Sequence, residues 1–117
     1  MEERRQHLRV KVQFETIYGL FQKDNKKVST VQKGEILNIS LGGFMLETDE
    51  DALSIGDNIY FKFHDFVDGE SVKIQGRGDV VWARENMIGI RFSSIDAEFY
   101  QYIRNLVKEA EDEAEED

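Results

Sequence analysis

The sequence predicts an all-β fold with a C-terminal helix, arranged as a six-stranded antiparallel β-barrel. Three observations carry this expectation. Short apolar–polar alternations recur from Val10 to Phe92, each bounded by Gly, Asn, Asp or Ser, with no helical stretch between them of the kind a βαβ unit needs. The period then lengthens to helical spacing after Ser94. With 117 residues, 40% hydrophobic and 11% aromatic, the chain has material for one core and one domain.

In VKVQFETIYGLF, Val10, Val12, Phe14, Tyr18 and Leu20 fall on one side and Lys11, Gln13 and Glu15 on the other, the pattern of a half-buried first strand. KDNKK at 23–27 reads as a loop. GEILNIS is the second strand and FMLET the third, joined by a tight turn around Ser40–Gly43. DEDALSIGDN turns the chain into IYFKF, where Ile59, Phe61 and Phe63 share one face of a fourth strand. DFVDGE leads to SVKIQGRGDVVW, the fifth, with Val72, Ile74, Val80 and Trp82 in one parity. Arg77-Gly78-Asp79 lies inside that run and reads as a strand with a glycine bend rather than as an adhesion tripeptide. ARENM turns into IGIRF, the sixth. Closing the six into a barrel hides their edges. Phe99, Ile103, Leu106 and Ala110 then mark one face of a helix, with Ser94 or Asp96 as its N-cap. The expected layout is a flexible N-terminal segment at 1–9, a barrel at 10–93, a helix at 94–110 and an acidic tail at 111–117.

The formal net charge of −9 is unevenly spread, because EAEDEAEED at 109–117 holds seven acidic groups and no basic one. The remainder sets 17 acidic residues against 15 Lys and Arg and is nearly neutral. A run of like charges stays solvated, so the tail is assigned no chemistry. No segment approaches the ~18 consecutive apolar residues of a membrane span, which predicts no membrane insertion. The start, MEERRQHLRVKV, lacks the apolar core of a secretory signal and the chain has no cysteine, so the cytoplasm is the expected compartment.

Catalytic chemistry finds no carrier. His7 and His64 are far apart and no cysteine accompanies them, so no metal site is expected. DFVDGE lacks the bidentate glutamate that completes a calcium loop. No nucleophile elbow, phosphate loop or dinucleotide fingerprint is present, and the expected protein is not an enzyme. Two stretches remain. Arg5-x-x-x-Arg9, with Arg4 in front, precedes the first strand, and Asn38-x-Ser40-x-x-Gly43 occupies the hairpin turn. Asn38 and Ser40 share a strand face there, while Gly42 and Gly43 let the backbone bend or approach a ligand.

In this order and on this framework, RRQHLR, NISLGG and the later VVWARENMIGIRF resemble the PilZ domain family, the bacterial receptors for cyclic di-GMP. The resemblance spans nearly the whole chain and implies the same six-stranded barrel and C-terminal helix. It implies that Arg5 and Arg9 bind the ligand's guanines and phosphates, that Asn38 and Ser40 read the guanine edge, and that the Gly42-Gly43 backbone belongs to a rigid surface on the barrel. Arginine suits this ligand because its guanidinium forks onto phosphate or guanine O6 and N7 and stacks on a base plane. Arg4, directly before the arginine pair, implies a stacked pair of cyclic di-GMP molecules per chain. Trp82 offers a stacking wall, although a tryptophan at a strand end is also ordinary rim packing. The N-terminal segment would order over the ligand and present a new surface to an unidentified protein partner in trans, in control of motility, exopolysaccharide or biofilm.

Two other readings compete. One is a small nucleic-acid-binding barrel with Tyr18, Tyr60 or Trp82 as stacking platforms, which the acidic balance disfavours. The other is a PilZ-like scaffold that binds no nucleotide. Asn38 stands where the family more commonly has aspartate, and a carboxylate accepts stronger bonds from guanine N1–H and N2–H than an amide does. Asn38→Asp is therefore expected to retain cyclic di-GMP binding in calorimetric titration, and a clear loss of affinity would contradict the placement of that side chain.

Overall fold

The computed structural model describes residues 8–21, 31–49 and 52–115, the side chains of 113–115 excepted. Within them, β1 (Val10–Leu20), β2 (Gln32–Ile39), β3 (Gly43–Glu47), β4 (Asn58–Val67), β5 (Glu70–Arg84) and β6 (Met87–Ser94) precede α1 (Ala97–Glu115). The strands close into a barrel in the order β1-β2-β3-β6-β5-β4, each neighbouring pair antiparallel. Alternation does most of the sorting. Ile59, Phe61 and Phe63 of β4 are at most 1% exposed, and Ile36, Leu46, Ile88 and Ile90 join them inside.

Rings fill the end of the barrel that α1 covers. Phe61 meets Phe44 edge-on at 4.8 Å, and Phe99 of α1 meets Phe61 at 5.8 Å and Phe92 at 5.2 Å. Phe14 stacks on Phe63 at 4.9 Å, and Tyr102 lies beside Phe63 at 6.4 Å. Offset and edge-on rings of this kind add to what area burial alone supplies. Ile103 and Val107 continue the buried stripe of α1. The helix thus covers one end of the barrel.

The helix bounds differ from those the periodicity predicts. Ser94 still pairs with Arg77 in the β5–β6 ladder, so the helix begins after Asp96, whose Oδ1 accepts the N–H of Phe99 at 2.8 Å. At the other end the backbone stays helical through residues 111–115, which the sequence places in a separate tail. Alanine and glutamate are strong helix formers, and they carry the helix past its last packed residue despite the lack of a basic group in the final turn.

Four register shifts break strict alternation, and two of them shape the outer surface. In β2 the shift between Ile36 and Asn38 buries both Ile36 and Ile39 and turns Asn38 outward. In β5 the shift between Val80 and Trp82 leaves Val80 2% exposed and Trp82 38% exposed, although the two share a sequence parity. Tyr18 is 2% exposed, its hydroxyl 2.8 Å from Thr48 Oγ1, so it cannot serve as the stacking platform that the nucleic-acid reading needs.

Tyr102 ties α1 to β4 by donating its hydroxyl to Asp65 Oδ2 at 2.7 Å. Burial, and then the carboxylate beside it, push the Tyr102 hydroxyl well above the ordinary tyrosine range. The raised folded pKa favours the protonated phenol, so its contribution is complete below the unfolded value of about 10 and fades as pH rises beyond it. Urea melts at increasing pH above about 10 are expected to show a steeper loss of stability for the wild type than for Tyr102→Phe. Parallel losses would contradict this linkage.

Candidate functional site

The β2–β3 turn is held by its own polar groups. Ser40 N–H donates to the Gly43 carbonyl at 2.8 Å, the Ser40 hydroxyl accepts from Gly42 N–H at 3.2 Å and donates to the Gly43 carbonyl at 3.4 Å. Ser40 is 4% exposed. Its hydroxyl is committed to the turn, and Ser40 accordingly shapes this surface from below. Phe92 N–H donates to the Gly42 carbonyl at 2.9 Å, fastening the turn to β6.

Two glycines act through close approach. A Cβ on Gly43 would overlap the Ile90 carbonyl oxygen, so β3 and β6 can meet here only without a side chain. A Cβ on Gly89 would occupy the place of the Trp82 pyrrole ring, which lies directly over it. Trp82 pairs with Gly89 across the β5–β6 ladder, so the indole rests on the sheet with part of its surface in solvent.

These elements line a shallow cleft of about 240 Å³ whose walls include Arg9, Ser40, Gly42, Gly43, Trp82 and Arg91. Arg9, one residue before β1, donates from Nη1 to Asn38 Oδ1 at 2.9 Å, which brings Asn38 to the edge of the same surface. Arg91 pairs with Gly43 across the β3–β6 ladder and reaches Asp79 Oδ2 at 3.9 Å. The chemistry on offer is two guanidinium forks, one indole face and a floor without side chains. That set suits a flat, anionic, aromatic ligand and provides no nucleophile.

Of the residues that the sequence singles out, Arg9, Asn38, Ser40, Gly42, Gly43 and Trp82 come together here. Arg4 and Arg5 lie outside the described residues. Reasoning from sequence misses Gly89 and Arg91. Both sit in IGIRF at positions opposite in parity to buried Ile88 and Ile90, and that outward parity is the available signal.

A larger cavity of about 640 Å³ opens elsewhere, lined by Glu15, Glu35, Glu47, Lys33, Lys62 and His64 among others. Glu15 pairs with Glu35, and Glu35 with Glu47, so three carboxylates stand side by side on adjacent strands. Lys33 and Lys62 offset that row only in part, and size alone does not make this the nucleotide site. Among the described residues no group of three or more His, Cys, Asp or Glu is arranged to hold a metal ion, and no helix is long and apolar enough to cross a membrane.

The family model described as PilZ domain matches residues 3–109. Among solved structures, the fold is similar to the PilZ domain of CeSA from a cellulose-synthesizing bacterium, at 16% identity and a TM-score of 0.60, with 89% of this chain and 98% of that one covered. It is similar to the inhibitor of motility MotI/DgrA of Bacillus subtilis at 17% identity and a TM-score of 0.71, over 94% of this chain and 53% of that one. A third similar structure is the PilZ domain of YcgR from Escherichia coli with c-di-GMP, at 14% identity and a TM-score of 0.58, over 97% and 98% of the two chains. At these identities the likeness establishes the fold. Comparison with curated proteins gives no match.

Because Trp82 is the single tryptophan, its emission reports this cleft alone. Gly89→Ala is expected to lift the indole from the sheet and shift its emission to longer wavelength, whereas an unchanged spectrum would contradict the close packing of the two residues.

Proposed function

The chain belongs to the PilZ domain family, and from that premise we propose that it is a non-enzymatic receptor for cyclic di-GMP whose N-terminal arginine segment closes over the nucleotide. The observation that carries the reading is the meeting of Arg9, Asn38, the Ser40–Gly43 turn and Trp82 on one face of the barrel. Those residues come from three separate stretches of sequence and supply what a cyclic dinucleotide needs: charge for its phosphates, a flat face for a base and a polar group for a base edge. The PilZ domain of YcgR, similar in fold, was solved with c-di-GMP, which supports the same ligand class here.

Each residue then has a task. Arg9 binds through its guanidinium, releasing the neutral Asn38 amide, an exchange that trades a neutral acceptor for an anionic one. Asn38, freed from Arg9, presents its amide to a guanine edge. Gly43 and Gly89 keep the floor low enough for a base to approach, and Trp82 provides the stacking wall. Arg4 and Arg5, from the segment before Arg9, complete the clasp and bring cationic charge for a second, stacked nucleotide. Engagement of that segment with the ligand changes the surface available to a protein partner acting in trans. The MotI/DgrA structure, an inhibitor of motility, and the PilZ domain of CeSA from a cellulose-synthesizing bacterium make motility and polysaccharide machinery the natural classes of output.

Calorimetric titration with cyclic di-GMP, GTP and a short oligonucleotide tests the reading. The expected result is heat with cyclic di-GMP alone, about two ligands per chain, and a loss of roughly 1.5–3 kcal/mol in Arg5→Ala. Heat with the oligonucleotide alone would favour a nucleic-acid barrel, and silence with all three would favour a scaffold.

A further inference from the structure

Among the described residues, the one side-chain contact of Arg91 is a weak one. Its side chain is 67% exposed, and its contact with Asp79 Oδ2, at 3.9 Å, is at the limit of an ion pair. An exposed pair at that distance contributes little to stability. Asp79, in contrast, is anchored. Its Oδ1 accepts from Asn58 Nδ2 at 2.7 Å, and Asn58 Oδ1 accepts from Arg77 Nε at 3.2 Å and Nη2 at 2.7 Å. Arg77 is held in turn by the Phe21 ring, 3.9 Å from its guanidinium carbon. A fixed carboxylate therefore carries a loosely attached arginine beside the cleft.

The position of that arginine is specific. β6 places Gly89 and Arg91 on one outward face, with Trp82 lying over the first and Gly43 paired beside the second. Arg9 lines the same cleft from the chain entering β1. We propose that Arg91 is a ligand-binding residue of this cleft, held by Asp79 in the free protein and exchanging that carboxylate for a phosphate of the nucleotide. The inference rests on the cyclic di-GMP reading and adds to it a cation from the barrel itself, independent of the N-terminal segment. Asp79 acts as a built-in competitor, because its carboxylate must be displaced from Arg91 before a phosphate takes its place.

The test is titration of the full chain with cyclic di-GMP at physiological salt, for wild type, Arg91→Ala, Arg91→Lys and Asp79→Asn, with a thermal melt of each. Arg91 is exposed and its backbone pairing does not involve the side chain, so Arg91→Ala is expected to melt like wild type and to bind roughly tenfold more weakly or worse. Arg91→Lys is expected to recover only part of the loss, because an ammonium keeps the charge and lacks the fork. Asp79→Asn is expected to bind more tightly than wild type. Wild-type binding with unchanged affinity in Arg91→Ala would overturn the inference and leave the receptor reading standing. Weaker binding in Asp79→Asn would overturn the competition between the carboxylate and the ligand. No heat in wild type would instead overturn the receptor reading.

Discussion

Gly43 has no side chain because the carbonyl oxygen of Ile90 takes the space one would fill. Through that contact β3 lies close against β6, and β3–β6 pairing is one of the two seams, with β1–β4, that join the first three strands to the last three. Much else follows from it. The Ser40–Gly43 turn is carried against β6, where Phe92 N–H ties down Gly42. Trp82 and Gly89 are brought within reach of the turn, and Arg91 is set beside it. A larger residue at position 43 would open the β3–β6 seam and dismantle the floor of the cleft at once. Fold closure and site construction share one constraint.

The strands were legible because most of them bury one face, and a period of two then writes itself into the sequence. Ile59, Phe61 and Phe63 are the plain case. Legibility failed where the ladder is irregular. Trp82 shares the parity of Val80 and would be placed inside by alternation, yet the register shift between them puts its indole on the outer surface. Asn38 is turned outward by a similar shift after Ile36. Neither bulge has a turn residue or charge to announce it, since a bulge is fixed by how two strands pair and not by the run that contains it. The helix bounds slipped for a related reason: Ser94 has good capping chemistry, and pairing with Arg77 keeps it in β6.

The candidate site was legible in its motif residues and incomplete in its walls. Arg9, Asn38 and the Ser40–Gly43 turn carried recognisable spacing, whereas Gly89 and Arg91 are ordinary outward positions of a strand until β5 and β3 are laid on either side. The two glycines at the turn suggested freedom to approach a ligand. Gly43 in fact yields that freedom to a neighbouring strand, and the flat surface it leaves is the by-product. Electrostatics follows the same local logic. A chain with a formal net charge of −9 presents two guanidinium groups at this cleft, while three carboxylates line the larger cavity, so the overall charge says little about what the cleft attracts.

The central claim is that the face built around Gly43 and Trp82 receives the nucleotide. The most direct measurement is two-dimensional NMR of the isotopically labelled chain during titration with cyclic di-GMP. The account predicts the largest shifts at the backbone amides of Gly42, Gly43, Gly89 and Arg91 and at the indole N–H of Trp82, with those of Glu15, Lys33 and Lys62 near the larger cavity unmoved. Shifts confined to that larger cavity, or none at all, would contradict it.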